Sequence, residues 1–237
     1  MRATRTTNGP FKERLYFSAE ELDRLCIDEL QIVNLYPSTP QPVRIERFIE
    51  KRFKITPRYG NLPSGVLGFT QFGADGVEDM VISRALVEDD SDGARRCVNT
   101  TLAHEAGHCL IHAPLFVLQE ETLPLFGDAR DRPAPKILCK DVPISNAARS
   151  DYDGRWWEHQ ANLMIGALLL PRPLVEKLVE PLLVPSGVIG LRVVPENRRP
   201  AAVALVSETF DVNPIVSRIR LDVLYPQNKG PVLDVIE

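Results

Sequence analysis

Residues 94–112 read Ala-Arg-Arg-Cys-Val-Asn-Thr-Thr-Leu-Ala-His-Glu-Ala-Gly-His-Cys-Leu-Ile-His, and they carry both a structural and a chemical signal. The stretch holds no proline, follows the acidic loop Glu88-Asp-Asp-Ser-Asp-Gly93 and stops before Pro114, so a helix is predicted over about 94–112. His104 and His108 stand four residues apart on it in an HExxH pattern. Such positions differ by about 40° in direction and about 6 Å in height. Two imidazoles placed this way reach one ion from the same face, and zinc accepts neutral imidazole nitrogens at about 2.0–2.1 Å. Glu105 projects to one side of the pair, where its carboxylate can take a proton from water without ligating the metal. Gly107 lets another backbone approach the helix.

A catalytic zinc site needs a third protein ligand and an open position. All four histidines fall at 104, 108, 112 and 159. The longer pattern with a third histidine after the motif is absent, since Ile111 and Pro114 occupy the relevant positions. His112 lies a further rise of about 6 Å beyond His108 and is expected at the helix end or behind a ligand. The remaining candidate is a downstream carboxylate. Trp156-Trp-Glu-His-Gln-Ala-Asn162 opens a helix that is apolar almost all round to Leu170 and is closed by Pro171 and Pro173. Glu158 on such a helix needs a charge partner, and a zinc ion would be one. The alternatives are that Glu158 only favours the helix dipole, or that His159, about 100° away, takes its place. Asn162, one turn on, can hydrogen-bond Glu158 or a histidine.

Working outward, residues 17–33 (FSAEELDRLCIDELQIV) show helical apolar spacing, and Ser18 with Glu21 resembles a capping box. The proline-rich stretch 37–42 interrupts, and residues 43–53 look helical again. Strands are expected at 53–58, 65–72 and 79–85, separated by Gly, Pro and Asp turns. Residues 113–154 carry no strong periodicity and are expected to be an irregular insertion. Two helices are expected near 198–209 and 214–225, within a C-terminal helical pair spanning 196–226. The second has Asn213 as cap and Pro214 in its first turn. Helix, small sheet, then helices suggests an α+β fold in a single domain over 1–237, with a small sheet preceding the HExxH helix.

Composition narrows the classes. A 237-residue chain with 44% hydrophobic and 25% charged residues can bury a sizeable core. Its net charge of −4 offers no basic footprint for nucleic acid. Cys26, Cys97, Cys109 and Cys139 are scattered without a CxxC pair, as expected of reduced thiols. The first residues, MRATRTTNGPFKERLYF, lack an apolar signal region, and no apolar run approaches a bilayer span, so a cytoplasmic protein is expected.

The combination of Thr101-Leu-Ala-His-Glu-Ala-Gly-His108, Glu158-His-Gln-Ala-Asn162 and Leu168-Leu-Leu-Pro171 resembles the ImmA/IrrE family of metallo-endopeptidases. The strand-rich stretch before the motif and Phe210-Asp-Val-Asn-Pro214 through Arg220-Leu221 are also similar, so the resemblance covers most of residues 20–226. It implies a zincin-like peptidase core in which His104, His108 and Glu158 hold zinc and Glu105 activates water. It also implies a helix-turn-helix transcriptional repressor as protein substrate, since studied members of the family cleave such repressors. Two departures stand out: the gap between His108 and Glu158 is longer here, and position 160 is Gln where many members carry an acid.

Weaker signals remain. The helices at 201–210 and 214–225 can be read as a helix-turn-helix, which gives the alternative of a zinc-binding DNA-binding regulator or a non-catalytic docking protein. Only Arg218 and Arg220 lie near the start of the second helix, which argues for structural packing. Cys139 is a candidate to block a metal as a thiolate, with an inert thiol the plainer reading. Trp156 and Trp157 are expected to be core anchors. Tyr152, His112 and His159 are candidates to stabilise a transition state.

Overall fold

The long helix expected from residue 94 begins slightly earlier. In the computed structural model, which describes residues 2–5, 13–73, 76–115, 136–140, 155–186 and 190–226, it spans Asp92–Ile111 (α4). Ser91 opens it by accepting a hydrogen bond from the Ala94 backbone at 3.1 Å. Its last two turns are buried nearly all round, including His104, Glu105 and His108. Ordinary amphipathic helices bury one stripe. This one is enclosed because a sheet and a second helix pack on it together.

The elements before α4 supply the sheet. After a short ladder of β1 (Arg2–Arg5) with β2 (Glu13–Tyr16) come helices α1 (Ala19–Ile32) and α2 (Ile45–Phe53). The capping box read from Ser18 and Glu21 is present in both halves, at 3.2 and 2.9 Å. Strands β3 (Arg58–Gly60), β4 (Val66–Gly73) and β5 (Gly76–Ser83) follow. They join β6 (Lys136–Lys140) in the order β3-β5-β4-β6, with β3 parallel to β5 and the other pairs antiparallel. A single-turn helix α3 (Arg84–Val87) leads into α4.

Two expectations change. The segment 53–58 is not a strand. Phe53 is the last residue of α2, Lys54 turns the chain in the left-handed region at φ 62°, and β3 begins only at Arg58. The expected insertion at 113–154 is not wholly irregular, because Lys136–Lys140 adds an edge strand to β4. Sheet edges expose unpaired backbone groups, so pairing can recruit a segment that lacks a strong pattern of its own. Residues 116–135 and 141–154, with Tyr152, lie outside the described residues, as does the side chain of Cys139.

The second buried helix, α5 (Trp156–Leu169), packs against α4 and α1. At Gly107 α4 and α5 come close: a Cβ there would sit 2.8 Å from Met164 Cβ and 3.4 Å from the Ala161 carbonyl. On the other side of α4, Gly68 of β4 packs against Thr101. These two glycines let the sheet, α4 and α5 stack closely as layers.

The prolines expected to close α5 also start something new. Pro171 precedes helix α6 (Arg172–Val179), and Pro173 stands in its first turn, where a missing N–H costs nothing. A two-stranded ladder of β7 (Val184–Ser186) and β8 (Leu191–Val193) leads to α7 (Arg199–Phe210) and α8 (Pro214–Leu224). Asn213 caps α8 as expected, accepting from the Ile215 backbone at 3.2 Å. Arg220, one of the two cations considered for DNA contact, points inward: it donates to Asp23 at 2.5 Å and to the Leu170 carbonyl at 3.1 Å. The fold is mixed α+β with small sheets, and one apolar cluster runs from Leu22 of α1 to Leu221 of α8. Among the described residues, no helix is long and apolar enough to cross a membrane.

Candidate metal centre

Among the described residues, one group of three potential ligands comes together: His104, His108 and Glu158, whose ligand atoms lie within 4.8 Å of one another. His104 Nε2 and His108 Nε2 are 3.0 Å apart. Glu158 Oε2 is 3.3 Å from the first and 3.8 Å from the second. Ligands about 2.0–2.1 Å from a tetrahedral zinc stand about 3.3 Å from each other. The three separations bracket that value, so the donor set fits the ion in both chemistry and spacing.

Protonation points the same way. Burial pushes His108 down to about 4, with Glu158 acting in the opposite direction, so its ring is neutral near pH 7. Burial alone would raise Glu158, but its contacts with His104 and His108 outweigh that and hold it below the usual carboxylate range. A neutral imidazole and a carboxylate thus converge with His104 on one point. A cation resolves that crowding of lone pairs.

Both ring Nδ1 atoms are engaged behind the ligands. His104 Nδ1 donates to Asn162 Oδ1 at 3.1 Å, one turn along α5 from Glu158. His108 Nδ1 lies 2.8 Å from His112 Nδ1. His112 Nε2 in turn lies 3.2 Å from Gln160 Oε1, and Gln160 Nε2 donates to the Leu15 carbonyl of β2 at 2.6 Å. His112 is buried, with its ring 5.5 Å from that of Trp156.

Glu105 is fully buried beside the cluster and does not belong to it. Its Oε2 accepts a hydrogen bond from the Thr70 hydroxyl of β4 at 2.5 Å. Its Oε1 has no hydrogen-bond partner among the described residues. Burial raises its pKa to about 7, against the opposing pull of His104 and the Thr70 hydrogen bond. A carboxyl poised near neutrality, with one oxygen anchored and one unpaired, is suited to take up and release a proton.

The structure therefore brings together all four residues singled out in the sequence. His159 is exposed and outside the ligand group, and His112 is turned to the back of His108 rather than to the centre. Three contributors were missed: Thr70, the Leu15 carbonyl, and Gln160 as a link. Thr70 had a faint signal as a polar residue at an inward position of an otherwise apolar strand face between Gly68 and Phe72. The carbonyl of Leu15 had none. Compared with models of known protein families and with curated proteins, the chain matches none.

Proposed function

We propose that this chain is a zinc-dependent endopeptidase with a zincin-like core, acting in the cytoplasm on a helix-turn-helix repressor. The observation that carries the reading is the convergence of His104 Nε2, His108 Nε2 and Glu158 Oε2 next to a buried, unligated Glu105. The resemblance of the same residues to the ImmA/IrrE family supports the substrate class and the regulatory role.

His104, His108 and Glu158 would hold the ion. Bound there, zinc supplies a Lewis acid that polarises a peptide carbonyl and makes water more acidic. Glu105 does the proton work. Thr70 fixes its Oε2, so the unpaired Oε1 is the atom that accepts a proton from the attacking water and later returns it to the leaving amine. Enclosure by β4, α4 and α5 strengthens each of these interactions by excluding solvent. The rival reading of the C-terminal helices as a DNA reader has less support, because Arg220 is committed to Asp23 in the interior.

The test is incubation of the purified protein with candidate repressors and with casein, with and without chelator. Cleavage of one repressor is expected, abolished by chelator and by Glu105→Gln, which should keep its zinc while turnover falls by orders of magnitude. His104→Ala and Glu158→Ala should each lose most of the metal. Chelator-sensitive digestion of unrelated unfolded proteins with the repressors left intact would leave only a general peptidase, and activity surviving in Glu105→Gln would remove that residue from its role.

A further inference from the structure

The chain of contacts from Leu15 to His108 has a direction that can be worked out from its fixed end. A backbone carbonyl only accepts hydrogen bonds, so the Gln160 atom 2.6 Å from the Leu15 oxygen is the amide nitrogen. Gln160 Oε1 therefore faces His112 Nε2 at 3.2 Å, and that oxygen also only accepts, so His112 Nε2 carries a proton. A buried neutral His112 then presents a bare Nδ1 to His108, 2.8 Å away. His108 must donate from its own Nδ1, which leaves Nε2 bare and aimed at His104 and Glu158.

We infer that His112 and Gln160 are positioning residues that impose the metal-binding tautomer on His108, with the main chain of β2 as the anchor. The device differs from the support of His104, whose Nδ1 meets the amide oxygen of Asn162 directly. For His108 the acceptor is another histidine, whose own tautomer has to be set in turn. Gln160 does this because it has a donor for the main chain and an acceptor for His112 in one side chain. The last link lies on β2, outside the two helices that carry the candidate ligands, so an N-terminal strand is wired to a ligand on α4. The inference rests on the reading of His104, His108 and Glu158 as a metal centre. It goes beyond it by assigning roles to residues outside the ligand group.

The experiment uses the full-length protein and two readouts. Nitrogen-15 NMR of the metal-free protein reports which ring nitrogen of His108 is protonated, and competition with a chromophoric chelator gives zinc affinity. His112→Phe keeps a ring of similar size in the pocket but offers no acceptor, and His112→Gln restores an acceptor oxygen. In the wild type, His108 is expected to be protonated at Nδ1. In His112→Phe it should become a mixture of tautomers, with zinc affinity lowered about 10–100-fold. His112→Gln should recover most of both. Gln160→Leu leaves His112 in place and should give the same tautomer mixture, which covers the case in which His112→Phe fails to fold. If His108 keeps the Nδ1 proton in both His112→Phe and Gln160→Leu, the relay is overturned, whatever zinc does. If the wild type shows the expected tautomer yet binds no zinc, the metal centre fails while the relay stands.

Discussion

Glu105 and Glu158 both act on His104, yet their surroundings drive them in opposite directions, and this division separates the proposed base from the proposed ligand. Glu158 stays ionised because two imidazoles contact it, whereas Glu105 meets mainly low-dielectric protein and is raised to about 7. The shift on Glu105 implies a pH dependence of stability in the metal-free protein. Its folded pKa lies above the unfolded value of 4.5, so the folded state binds the proton more tightly. This group therefore favours the fold fully below about pH 4.5, and that contribution is lost as pH rises through 7. Glu105→Gln cannot ionise and escapes the loss. In chelator, denaturant titrations should find the variant more stable than wild type by about 3 kcal/mol at pH 8, from about 1.4 kcal/mol per pKa unit, with the gap closing toward pH 4.5. A gap that does not change with pH would mean that Glu105 is not held in a desolvated site. The motif told that His104 and His108 would face one point, because helix geometry alone fixes their relation. It did not tell that Glu105 would be raised, since the burial responsible comes from strands and a helix far away in sequence.

Among the elements, those with local signals were legible and those without were not. The Ser18–Glu21 box, the Asn213 cap, and the prolines at 114, 171 and 214 marked α1, α4, α5 and α8 to within two or three residues. Strand β6, the β1–β2 ladder and the β7–β8 ladder were invisible, because each spans three to five residues and exists by pairing rather than by pattern. The close approach of α4 and α5 sits between these cases: Gly107 announced it, but only the packing says what it meets. That packing sets the distance from the two histidines on α4 to Glu158 on α5. Gly107→Ala would gain about 1 kcal/mol of helix propensity. Against this, the new Cβ would lie 2.8 Å from Met164 Cβ, an atom held close to the α5 backbone, so the helices must part. Overpacking of this kind costs about 1–3 kcal/mol, so the clash should prevail. The variant is expected to melt lower than wild type and to hold zinc more weakly, as measured by thermal shift and chelator competition. A variant that melts higher, with unchanged zinc affinity, would show that the contact is soft and that the glycine does not set the site.

For the molecule as a whole, a buried ion pair away from the candidate metal centre joins the first helix to the last described one. Asp23 on α1 and Arg220 on α8 are both nearly excluded from solvent, at 6% and 4% side-chain exposure, and meet at 2.5 Å. Arg220 also reaches the Leu170 carbonyl where α5 ends, and Arg172 of α6 lies 3.5 Å from the other Asp23 oxygen. Four helices from opposite ends of the sequence are thus pinned at one point, with the apolar cluster continuous around it. Helices pinned together in this way should be lost in a single unfolding transition. Burying two charges is costly, so the pair need not add net stability over an apolar packing of the same shape. Removing one partner is different, because it leaves a buried charge that has lost its short, direct contact. Arg220→Ala should lower stability by about 3–5 kcal/mol, whereas Asp23→Leu with Arg220→Met should recover most of that loss. Turnover of Arg220→Ala per folded molecule, assayed well below its melting temperature, should match wild type, since the pair touches none of the four residues at the centre. Loss of turnover in well-folded Arg220→Ala would instead mean that this junction shapes the site through α5. A stability change below about 1 kcal/mol would mean that water or a nearby donor such as Arg172 compensates Asp23, and that the apolar cluster holds the helices without the pair.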